Sequence, residues 1–457
     1  MSYPHGFNKK EWGEVCAEAT ALLQSLLRAN TTNPPGNEIL AATILTKSLE
    51  VDGLKYEIIE PETGRANLIC RLSSGSSEPA LLLASHLDVV PAGDEEKWTH
   101  PPFEGRLVNG MIWGRGAIDM KHMVVMSAMV AKLLNRREIK LRRDIVMVAV
   151  ADEEEGCTKG SRFLVENHSE KVQAGFALGE VGGFPTTAGK VRIMPIQTAE
   201  KGISWIKLTA KGTAGHGSIP RKDNPISQLG LALDRIQKKP LPQHNTPVVE
   251  DFVRTVAKLQ PLPDRLVLPL ILNPKTSRFV LEKLFPDKSQ SQLFSALLRN
   301  TVSPTVLRSG NKTNVIPDQA EVHLDGRILP GQNAEDLVNE LRKIIDKKLE
   351  IEVFREAPGQ VNHPPDSELW DCICEVIGKH RPALPIIPYM IPGFTDAQYF
   401  SRLGARWYGF SPVWLESDSG LNFSDLFHGY DERIPEDGFH WGLQVLYEVV
   451  LAFCQEK

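Results

Sequence analysis

The pattern of apolar and polar positions over the first 200 residues predicts alternating helices and buried strands. Helical periodicity predicts helices at about 10–29, 120–134 and 161–167, and apolar runs predict strands at 79–90 and 144–151. Runs without alternation, such as ALLLASHL, are typical of strands that are buried on both faces. The pattern therefore predicts an α/β domain whose mixed, largely parallel sheet is covered by helices on both sides.

The pattern changes after residue 200. The segments GISWIKLTAKG, AEVHLDGRIL and LEIEVF are predicted strands. Predicted helices at about 225–238 and 334–348 separate them, the second capped by Asn333. This order predicts a small α+β sandwich inserted into the first domain. Residues 244–301 are rich in Pro and Leu, have weak helical periodicity, and are interpreted as an elaboration of the insert.

The length of the chain favours more than one domain. A single core does not extend over 457 residues, so we expect two domains, one interrupted by the other. The predicted division is a first domain of 1–199 and 357–457, interrupted by an inserted domain of 200–356. The net charge of −5 and the pI near 6.2 provide no basic field for nucleic acid or anionic lipid. Small-molecule chemistry is therefore favoured.

The N-terminal segment and the cysteines disfavour a secreted protein, a membrane-spanning protein and a protein held together by disulfides. The segment MSYPHGFNKKEWGEV has no apolar signal-peptide region, and no run of 18 apolar residues occurs, so we expect a cytoplasmic protein with no membrane partner. Six cysteines are few for this length, and Cys372 and Cys374 lie within a helical pattern. Neither a disulfide framework nor a C-x-x-C zinc site is predicted.

Acidic residues and histidines stand where predicted strands end or helices begin. They are His86 and Asp88 in SHLDVVPAG, Asp119 in WGRGAIDMKH, Glu180 in ALGEVGG and His428 in LFHGYDERIPED. Each has an ordinary explanation when taken alone, since a helix N-cap explains Asp119 and packing or solvated surface explains the others. The functional alternative is that His86 ligates a metal while Asp88 holds its imidazole in one tautomer.

An acidic run, Asp152 to Glu155, follows the apolar strand VMVAV without a break. Such a run is often a solvated turn. Here the other candidates also gather at strand ends, where ligands bind in open α/β sheets, so metal ions that neutralise crowded carboxylates explain the run better. Asp119, Glu154 and Glu180 carry three negative charges, and a bridging hydroxide adds a fourth, which two Zn²⁺ ions balance.

The ordered motifs resemble those of a known family. They are SHLDVVP, WGRGAIDMKH, ADEEEG, ALGEVGG, GTAGHGS, NVIPDQAEVHLDGRILPG and HGYDERIP, and they extend over almost the whole chain. The sequence resembles the co-catalytic zinc exopeptidases and amidohydrolases, which include aminoacylase, acetylornithine deacetylase, succinyl-diaminopimelate desuccinylase and bacterial glutamate carboxypeptidase. The resemblance implies a zinc-exopeptidase catalytic domain interrupted by an α+β sandwich that serves as a lid and dimerisation domain.

The resemblance also implies a dinuclear site and a general base. The implied ligands of two zinc ions per subunit, with Asp119 shared, are His86, Asp119, Glu180, Glu154 and His428. Glu153 is then the general base, with Asp88 supporting catalysis behind His86. Asp152 and Glu155 are expected to be structural or solvated. Cobalt or manganese is expected to substitute for zinc.

The same resemblance implies the residues that contact substrate. Arg327 in EVHLDGRIL is compatible with a surface salt bridge, but the resemblance places it on the free carboxylate of the substrate, a task that suits a guanidinium fork. Asn314 and His216 are implied to lie near the scissile carbonyl. The chain departs from its relatives after Gly393, where Phe394 replaces the small residue that relatives often carry. The shape of the substrate pocket depends on this position.

These features predict a dinuclear zinc metallohydrolase that cleaves the amide bond of N-acyl amino acids or small peptides with a free C-terminal carboxylate. A family trend links Glu at position 180 to deacylases and carboxypeptidases. A dipeptidase or aminopeptidase of the same family, or a non-catalytic binding protein on the same fold, is an alternative. A serine hydrolase is disfavoured because no G-x-S-x-G occurs. We also expect a homodimer in which His216 completes the active site of the partner subunit.

Overall fold

The computed structural model describes residues 3–4, 6–285, 288–362, 364–417, 420–421 and 423–456. The chain forms two compact units. The first unit comprises Met1–Gln197, Pro364–Pro388 and Thr395–Lys457, and the second comprises Thr198–His363 and Tyr389–Phe394. Residues 357–362 and 389–394 therefore belong to the second unit. The catalytic and dimerisation roles assigned from the sequence to these parts of the chain stay predictions.

The secondary structure of the described residues alternates throughout the chain. The strands are β1 (Tyr56–Ile59), β2 (Asn67–Leu72), β3 (Leu81–His86), β4 (Arg106–Val108), β5 (Met111–Trp113), β6 (Ile145–Val150), β7 (Phe176–Gly179), β8 (Thr186–Ala188), β9 (Val191–Glu200), β10 (Gly202–Lys211), β11 (Gly215–His216), β12 (Thr301–Ser309), β13 (Val315–Ile316), β14 (Gln319–Ile328), β15 (Glu350–Ala357), β16 (Ile386–Ile391), β17 (Arg406–Gly409) and β18 (Arg433–Pro435). The helices are α1 (Lys9–Arg28), α2 (Ile39–Val51), α3 (Lys121–Arg136), α4 (Ser161–Asn167), α5 (Ser169–Val172), α6 (Pro225–Lys238), α7 (Pro247–Leu259), α8 (Asp264–Val267), α9 (Ser277–Phe279), α10 (Lys288–Leu297), α11 (Ala334–Arg342), α12 (Glu368–His380), α13 (Ala397–Phe400), α14 (Phe423–Leu426) and α15 (Glu436–Cys454).

A nine-stranded mixed sheet forms the centre of the first unit. Its strand order is β1-β2-β6-β3-β7-β17-β9-β16, with β8 paired to β9. The strands β6, β3, β7 and β17 pair in parallel, whereas β1, β2 and β6 pair antiparallel. The predicted α/β fold class with a mixed sheet is therefore confirmed.

Apolar side chains on both faces of this sheet explain the continuous apolar runs. Along β3, Leu81 and Leu83 pack into one apolar cluster with helices α1, α3 and α15, while Leu82 and Ala84 pack into a second cluster with α4 and α13. All four side chains are almost fully buried. Burial of each leucine contributes about 1.5–3 kcal/mol, so both faces stabilise the strand.

The second unit contains a four-stranded antiparallel sheet with the order β12-β14-β10-β15. Buried Val322 and Leu324 of β14 pack with Leu229 of α6 and Leu337 of α11. The helix predicted to reach residue 348 is wrong at its C-terminal end, because α11 ends at Arg342. There the Arg342 guanidinium donates to the main-chain oxygen of Leu349, and such local bonds compete with helical ones.

Residues 244–301 form short helices, α7 to α10, with a 3-10 turn at Leu268–Leu272 and a π turn at Val280–Leu284. They enclose an apolar cluster of their own that includes Val248, Val253 and Leu298. Short helices of changing pitch explain the weak periodicity of this segment. Among the helices of the described chain, none combines the length and apolar content needed to span a bilayer.

Candidate metal centre

Three neighbouring parallel strands bring acidic and histidine side chains to one edge of the sheet in the first unit. His86 is the last residue of β3, Glu153 and Glu154 follow β6, and Glu180 follows β7 directly. The strands β6, β3 and β7 lie side by side and run in the same direction. Because the carboxyl ends of parallel strands meet at one edge, these four residues converge there.

Asp119 reaches the same place from the loop before α3, and Glu432 shapes that loop. The buried Glu432 carboxylate accepts N–H groups of Gly116, Ile118 and Asp119, at 2.9, 2.8 and 3.1 Å. It also forms a buried ion pair with Arg115 at 2.7 Å. Sequence reasoning missed Glu432, although it lies in the motif HGYDERIP that supplied His428. A carboxylate four residues after a candidate ligand was the available signal.

The predicted ligands form two clusters that share Asp119. The first holds His86, Asp119 and Glu180, and the second holds Asp119, Glu154 and His428, with the ligand atoms of each cluster within 4.8 Å of one another. Asp119 Oδ1 lies 3.2 Å from His86 Nε2, and its Oδ2 lies 3.2 Å from His428 Nε2. One carboxylate therefore offers one oxygen to each cluster.

The donor set and its spacing fit two zinc ions. Tetrahedral zinc with ligand bonds of about 2.0–2.1 Å places neighbouring ligand atoms about 3.3 Å apart. The structure has 3.2 Å for the His86–Asp119 and His428–Asp119 atom pairs and 3.3 Å between His428 Nε2 and Glu154 Oε2. Moreover, Glu154 Oε1 is buried with no hydrogen-bond partner. A cation would satisfy this orphaned oxygen, and nitrogen and carboxylate donors suit zinc.

The electrostatics of the cluster show an excess of negative charge. Burial raises the pKa of both Glu154 and Glu180 to about 7. Hydrogen bonds to Asp119 and Glu154 raise the pKa of His428 to about 10. Without a cation these groups are stabilised by protons, which compete with a metal for the same lone pairs.

Glu153 is buried beside the two clusters. Burial raises the pKa of its carboxyl well above the usual range, and the charge of Glu180 raises it further. Its main-chain N–H donates to Asp88 Oδ1 at 3.1 Å. Glu153 thus occupies the position expected of a group that exchanges a proton next to the metal ligands.

Asp88 acts on the site differently from the prediction. The His86 Nδ1–H donates to the main-chain oxygen of Asp88 at 3.0 Å, whereas the Asp88 carboxylate is 3.6 Å away. That carboxylate instead accepts the N–H groups of Glu153 and Glu154 and the side-chain amide of Asn33. The carbonyl orients His86 so that Nε2 faces the ligands, and the carboxylate positions the turn after β6.

The acidic run divides into residues with different surroundings. Asp152 is buried and takes a positive φ of 65°. Its carboxylate accepts hydrogen bonds from Asn33, Arg65, Thr158 and the Lys159 amide. Glu155 is exposed. Glu153 and Glu154 thus face the site, while the Asp152 carboxylate stabilises the turn and Glu155 is in solvent.

Asp396 is a further buried carboxylate that sequence reasoning did not single out. It follows the PGF segment, and Ser161 Oγ donates to its Oδ1 at 2.5 Å. Burial raises its pKa to about 6. The charges of His86 and Glu153 interact with it, so it belongs to the surroundings of the site.

Two of the predicted substrate residues lie together in the second unit. His216 ends β11, which pairs with β13, and the Gly217 N–H donates to the main-chain oxygen of Asn314 at 2.8 Å. The side chains of His216 and Asn314 are exposed. His216 Nδ1 lies 2.7 Å from Ser218 Oγ, which leaves Nε2 for another partner.

Arg327 lies on β14, and two of its three guanidinium nitrogens already donate hydrogen bonds within the chain. Its Nε and Nη2 donate to the Asp325 carboxylate at 2.9 and 3.0 Å. Nη1 is buried with no hydrogen-bond partner. The Phe394 ring stands 5.0 Å from the guanidinium carbon, and the neighbouring Gly393 has open space about its Cα. Phe394 therefore covers the arginine.

Comparison with known proteins identifies the family. The sequence model of Peptidase family M20/M25/M40 matches residues 82–452. The chain belongs to this peptidase family. Membership, together with the relatives below, confirms the predicted resemblance and the prediction of a metal-dependent hydrolase.

Members of Peptidase family M20/M25/M40 from distant organisms align with most of the chain. The human N-fatty-acyl-amino acid synthase/hydrolase is 30% identical over 391 residues, 83% of this chain and 74% of that protein. Pig aminoacylase-1 is 25% identical over 450 residues, 95% of both chains. An M20 metallo-carboxypeptidase structure from Sulfolobus solfataricus has a TM-score of 0.66 and 17% identity, covering 95% of this chain and 98% of its own. That structural likeness supports the fold.

Proposed function

We propose that this protein is a dinuclear zinc hydrolase that cleaves the amide bond of N-acyl amino acids or small peptides with a free C-terminal carboxylate. The observation that carries the proposal is Asp119, which offers one oxygen to each of two ligand clusters. The names of the human and pig relatives support an N-acyl amino acid as the substrate.

The ligands would divide between two ions. His86 and Glu180 would hold one, Glu154 and His428 the other, and Asp119 would bind both. The chemistry that bound zinc supplies is polarisation of the amide carbonyl and a lowered pKa for water. The charge of two ions offsets the surplus of buried carboxylates.

Glu153 is the proposed general base. It accepts the proton of the attacking water and passes it to the leaving amine. The burial and neighbouring charge that raise its pKa favour a carboxyl that retains the proton between these two steps. Asp88 positions Glu153 through the main-chain bond, because the side chain of Asp88 accepts the Glu153 N–H.

Arg327 is the proposed reader of the substrate carboxylate. Asp325 occupies Nε and Nη2, so the remaining Nη1 is the donor for the substrate. A charge-assisted hydrogen bond from a buried guanidinium nitrogen selects an acid over its amide. The Phe394 ring above the guanidinium would exclude water from this contact.

His216 and Asn314 are the proposed contacts to the scissile carbonyl, supplied in trans within a homodimer. This role is supported by the exposure of both side chains beside the paired strands β11 and β13. Mixing inactive His216→Ala and Glu153→Ala chains leaves one whole site in each mixed dimer. Because a two-fold dimer exchanges equal contacts, about a quarter of wild-type activity should return after random exchange. Absence of recovery after verified exchange would reject the trans role.

A hydrolysis screen tests the proposed function. The substrates are N-acyl amino acids, their C-terminal amides, and dipeptides with free or blocked N-termini, each with zinc, cobalt or manganese. Turnover of N-acylated substrates that have a free carboxylate supports the proposal. Turnover restricted to peptides with a free N-terminus would instead identify a dipeptidase or an aminopeptidase.

A further inference from the structure

The second unit contains a cavity of about 160 Å³ that none of the proposed metal or substrate residues lines. Six of its eleven lining residues are apolar and five are polar, and the polar ones include the two cations Lys239 and Arg299. A cavity of about 150 Å³ is large enough for benzene, so this space accommodates a small organic molecule.

Arg299 supplies a buried positive charge to the cavity. Its side chain is 9% exposed, and Nε is buried with no hydrogen-bond partner. Among the described residues, none forms an ion pair or a side-chain hydrogen bond with this guanidinium. Burial lowers the pKa of Arg299, and the charge of Arg278 lowers it further. An unpaired buried cation is costly unless a ligand neutralises it.

The other buried arginines of the described chain show what Arg299 lacks. Arg115 pairs with Glu432 at 2.7 Å, and Arg143 lies 3.4 Å from Glu368 and 3.6 Å from Glu78. Glu340 on α11 is a buried acid, but its carboxylate is already hydrogen-bonded to His244 and Asn300. Arg299 therefore faces the cavity without a protein acid to neutralise it.

Lys201 fixes the main chain that carries Arg299. Its buried Nζ donates to the main-chain oxygen of Arg299 at 2.9 Å and to Thr301 Oγ1 at 3.0 Å. Lys201 thus adds a second buried cation while it holds the segment in place. The guanidinium itself is a planar fork of N–H donors, which favours a planar, bidentate anion as its partner.

We propose that this cavity binds a small monocarboxylate with a short apolar tail. The carboxylate accepts hydrogen bonds from Arg299, and the tail contacts the apolar wall formed by Leu241, Val302, Leu341 and Ile344. The planar guanidinium fork matches a carboxylate, and the apolar wall favours a hydrocarbon chain over a fully hydrated ion. The proposal does not depend on the reaction at the metal centre.

Calorimetric titration of the zinc-loaded protein with pentanoate tests the site. We expect one molecule per chain at this site and no binding of pentanamide, which has the same shape without the charge. Arg299→Gln should weaken binding at least about tenfold, as expected for one lost charge-assisted hydrogen bond. Arg235→Gln, an exposed arginine on α6, is the matched control and should bind as wild type does.

The proposed active site also binds carboxylates, so a second variant separates the two. Pentanoate binding at the cavity should persist in Arg327→Ala. Loss of binding in Arg327→Ala with retention in Arg299→Gln would place the acid at the active site and overturn the proposal. Inorganic phosphate that binds as tightly as pentanoate would overturn the monocarboxylate assignment.

A measurement on the wild-type chain keeps the test independent of folding defects. Pentanoate should slow hydrogen exchange of the amides at residues 299–302 relative to pentanamide, because ligand contact stabilises this segment. Equal exchange with both compounds would contradict the proposal. The conservative variant Arg299→Lys should retain part of the protection, because it keeps the charge and loses the fork.

Discussion

Two regions of the described chain each contain a buried charged group with an atom that lacks a hydrogen-bond partner, and the two charges have opposite signs. At the strand ends of the first unit, Asp119, Glu154 and Glu180 crowd together and a Glu154 oxygen has no partner. In the cavity of the second unit, Arg299 has no acid. By contrast, the buried Arg115 guanidinium is paired with Glu432. We infer that the unpartnered oxygen of Glu154 and the unpaired guanidinium of Arg299 each mark a place for a ligand of the opposite sign.

The two regions also differ in how the charge is assembled. The anionic edge contains residues from many segments of the chain, which the sheet holds together along with main-chain N–H hydrogen bonds to the carboxylates of Asp88 and Glu432. The cationic cavity has one buried guanidinium, that of Arg299, with the exposed Lys239 also lining it and Lys201 behind Arg299. A variant that lacks one acidic residue of the first unit keeps the other acidic residues. A variant that lacks Arg299 loses the guanidinium that is proposed to bind the carboxylate in the cavity.

Metal removal should have the largest effect. Chelation should abolish turnover, and zinc should restore it, because the surplus carboxylates of the first unit require cations. Elemental analysis of the active protein should give two ions per chain. Full activity with one ion per chain would contradict the proposed dinuclear site, since a single Zn²⁺ leaves half of the four negative charges unbalanced.

Glu153→Ala should be the next largest change. Turnover should fall by about 10²–10⁴-fold, the usual range for a lost general base, while both metals stay bound. Steady-state kcat and elemental analysis measure the two effects separately. Glu155→Ala, which changes an exposed neighbour, is the control and should behave as wild type. Near-normal turnover of Glu153→Ala would remove this residue from the mechanism.

Arg327→Ala should have a smaller effect that is confined to one class of substrate. We expect KM for substrates with a free carboxylate to rise by about 10- to 100-fold, the value of a charge-assisted hydrogen bond, with little change for their amides. Arg308→Ala on β12 is the exposed control. An equal increase for acids and amides would show that the unpaired Nη1 does not read the carboxylate.

The pH dependence of stability should be the smallest effect. Burial raises the pKa of Glu154 and Glu180 from 4.5 to about 7, and hydrogen bonds to Asp119 and Glu154 raise that of His428 from 6.5 to about 10. Raised pKa values mean tighter proton binding in the folded state. Their stabilisation is full below the unfolded pKa values and is lost as the pH rises through the folded ones.

The melting temperature of the metal-free protein should therefore fall as the pH rises from 4.5 to 10, relative to the zinc-loaded protein. Zinc replaces the protons at these groups and should flatten the dependence. Scanning calorimetry of both forms over this window measures the difference. Parallel curves would show that the carboxylates are not stabilised by protons when metal is absent.

The strands and the acidic and histidine residues at their ends were predictable because each depends on local pattern. The apolar runs of β3 and β6 end directly before polar residues, so His86 and Glu154 could be placed at strand ends from sequence order alone. The family resemblance then implied a role for each of these residues. The contribution of Glu432 could not be seen, because it acts through main-chain bonds to a loop more than 300 residues earlier in the chain.

Other features depended on tertiary structure. The predicted C-terminal end of α11 was wrong because hydrogen bonds near Leu349 end the helix early. Arg299 was not a candidate, since its sequence neighbours do not reveal that it is buried without an acid. Burial and the absence of a partner are properties of packing, which periodicity does not report.

The C-terminal position of Glu432 has a consequence for synthesis of the chain. The loop that presents Asp119 is held by Glu432, and the proposed ligand His428 lies four residues before it. The strand β17, which pairs with β7 in the sheet, also comes late in the chain. A nascent chain exposes its N-terminal ligands on the ribosome well before these parts emerge. Metal capture at a complete proposed site would thereby be deferred until residues 428–432 have been synthesised.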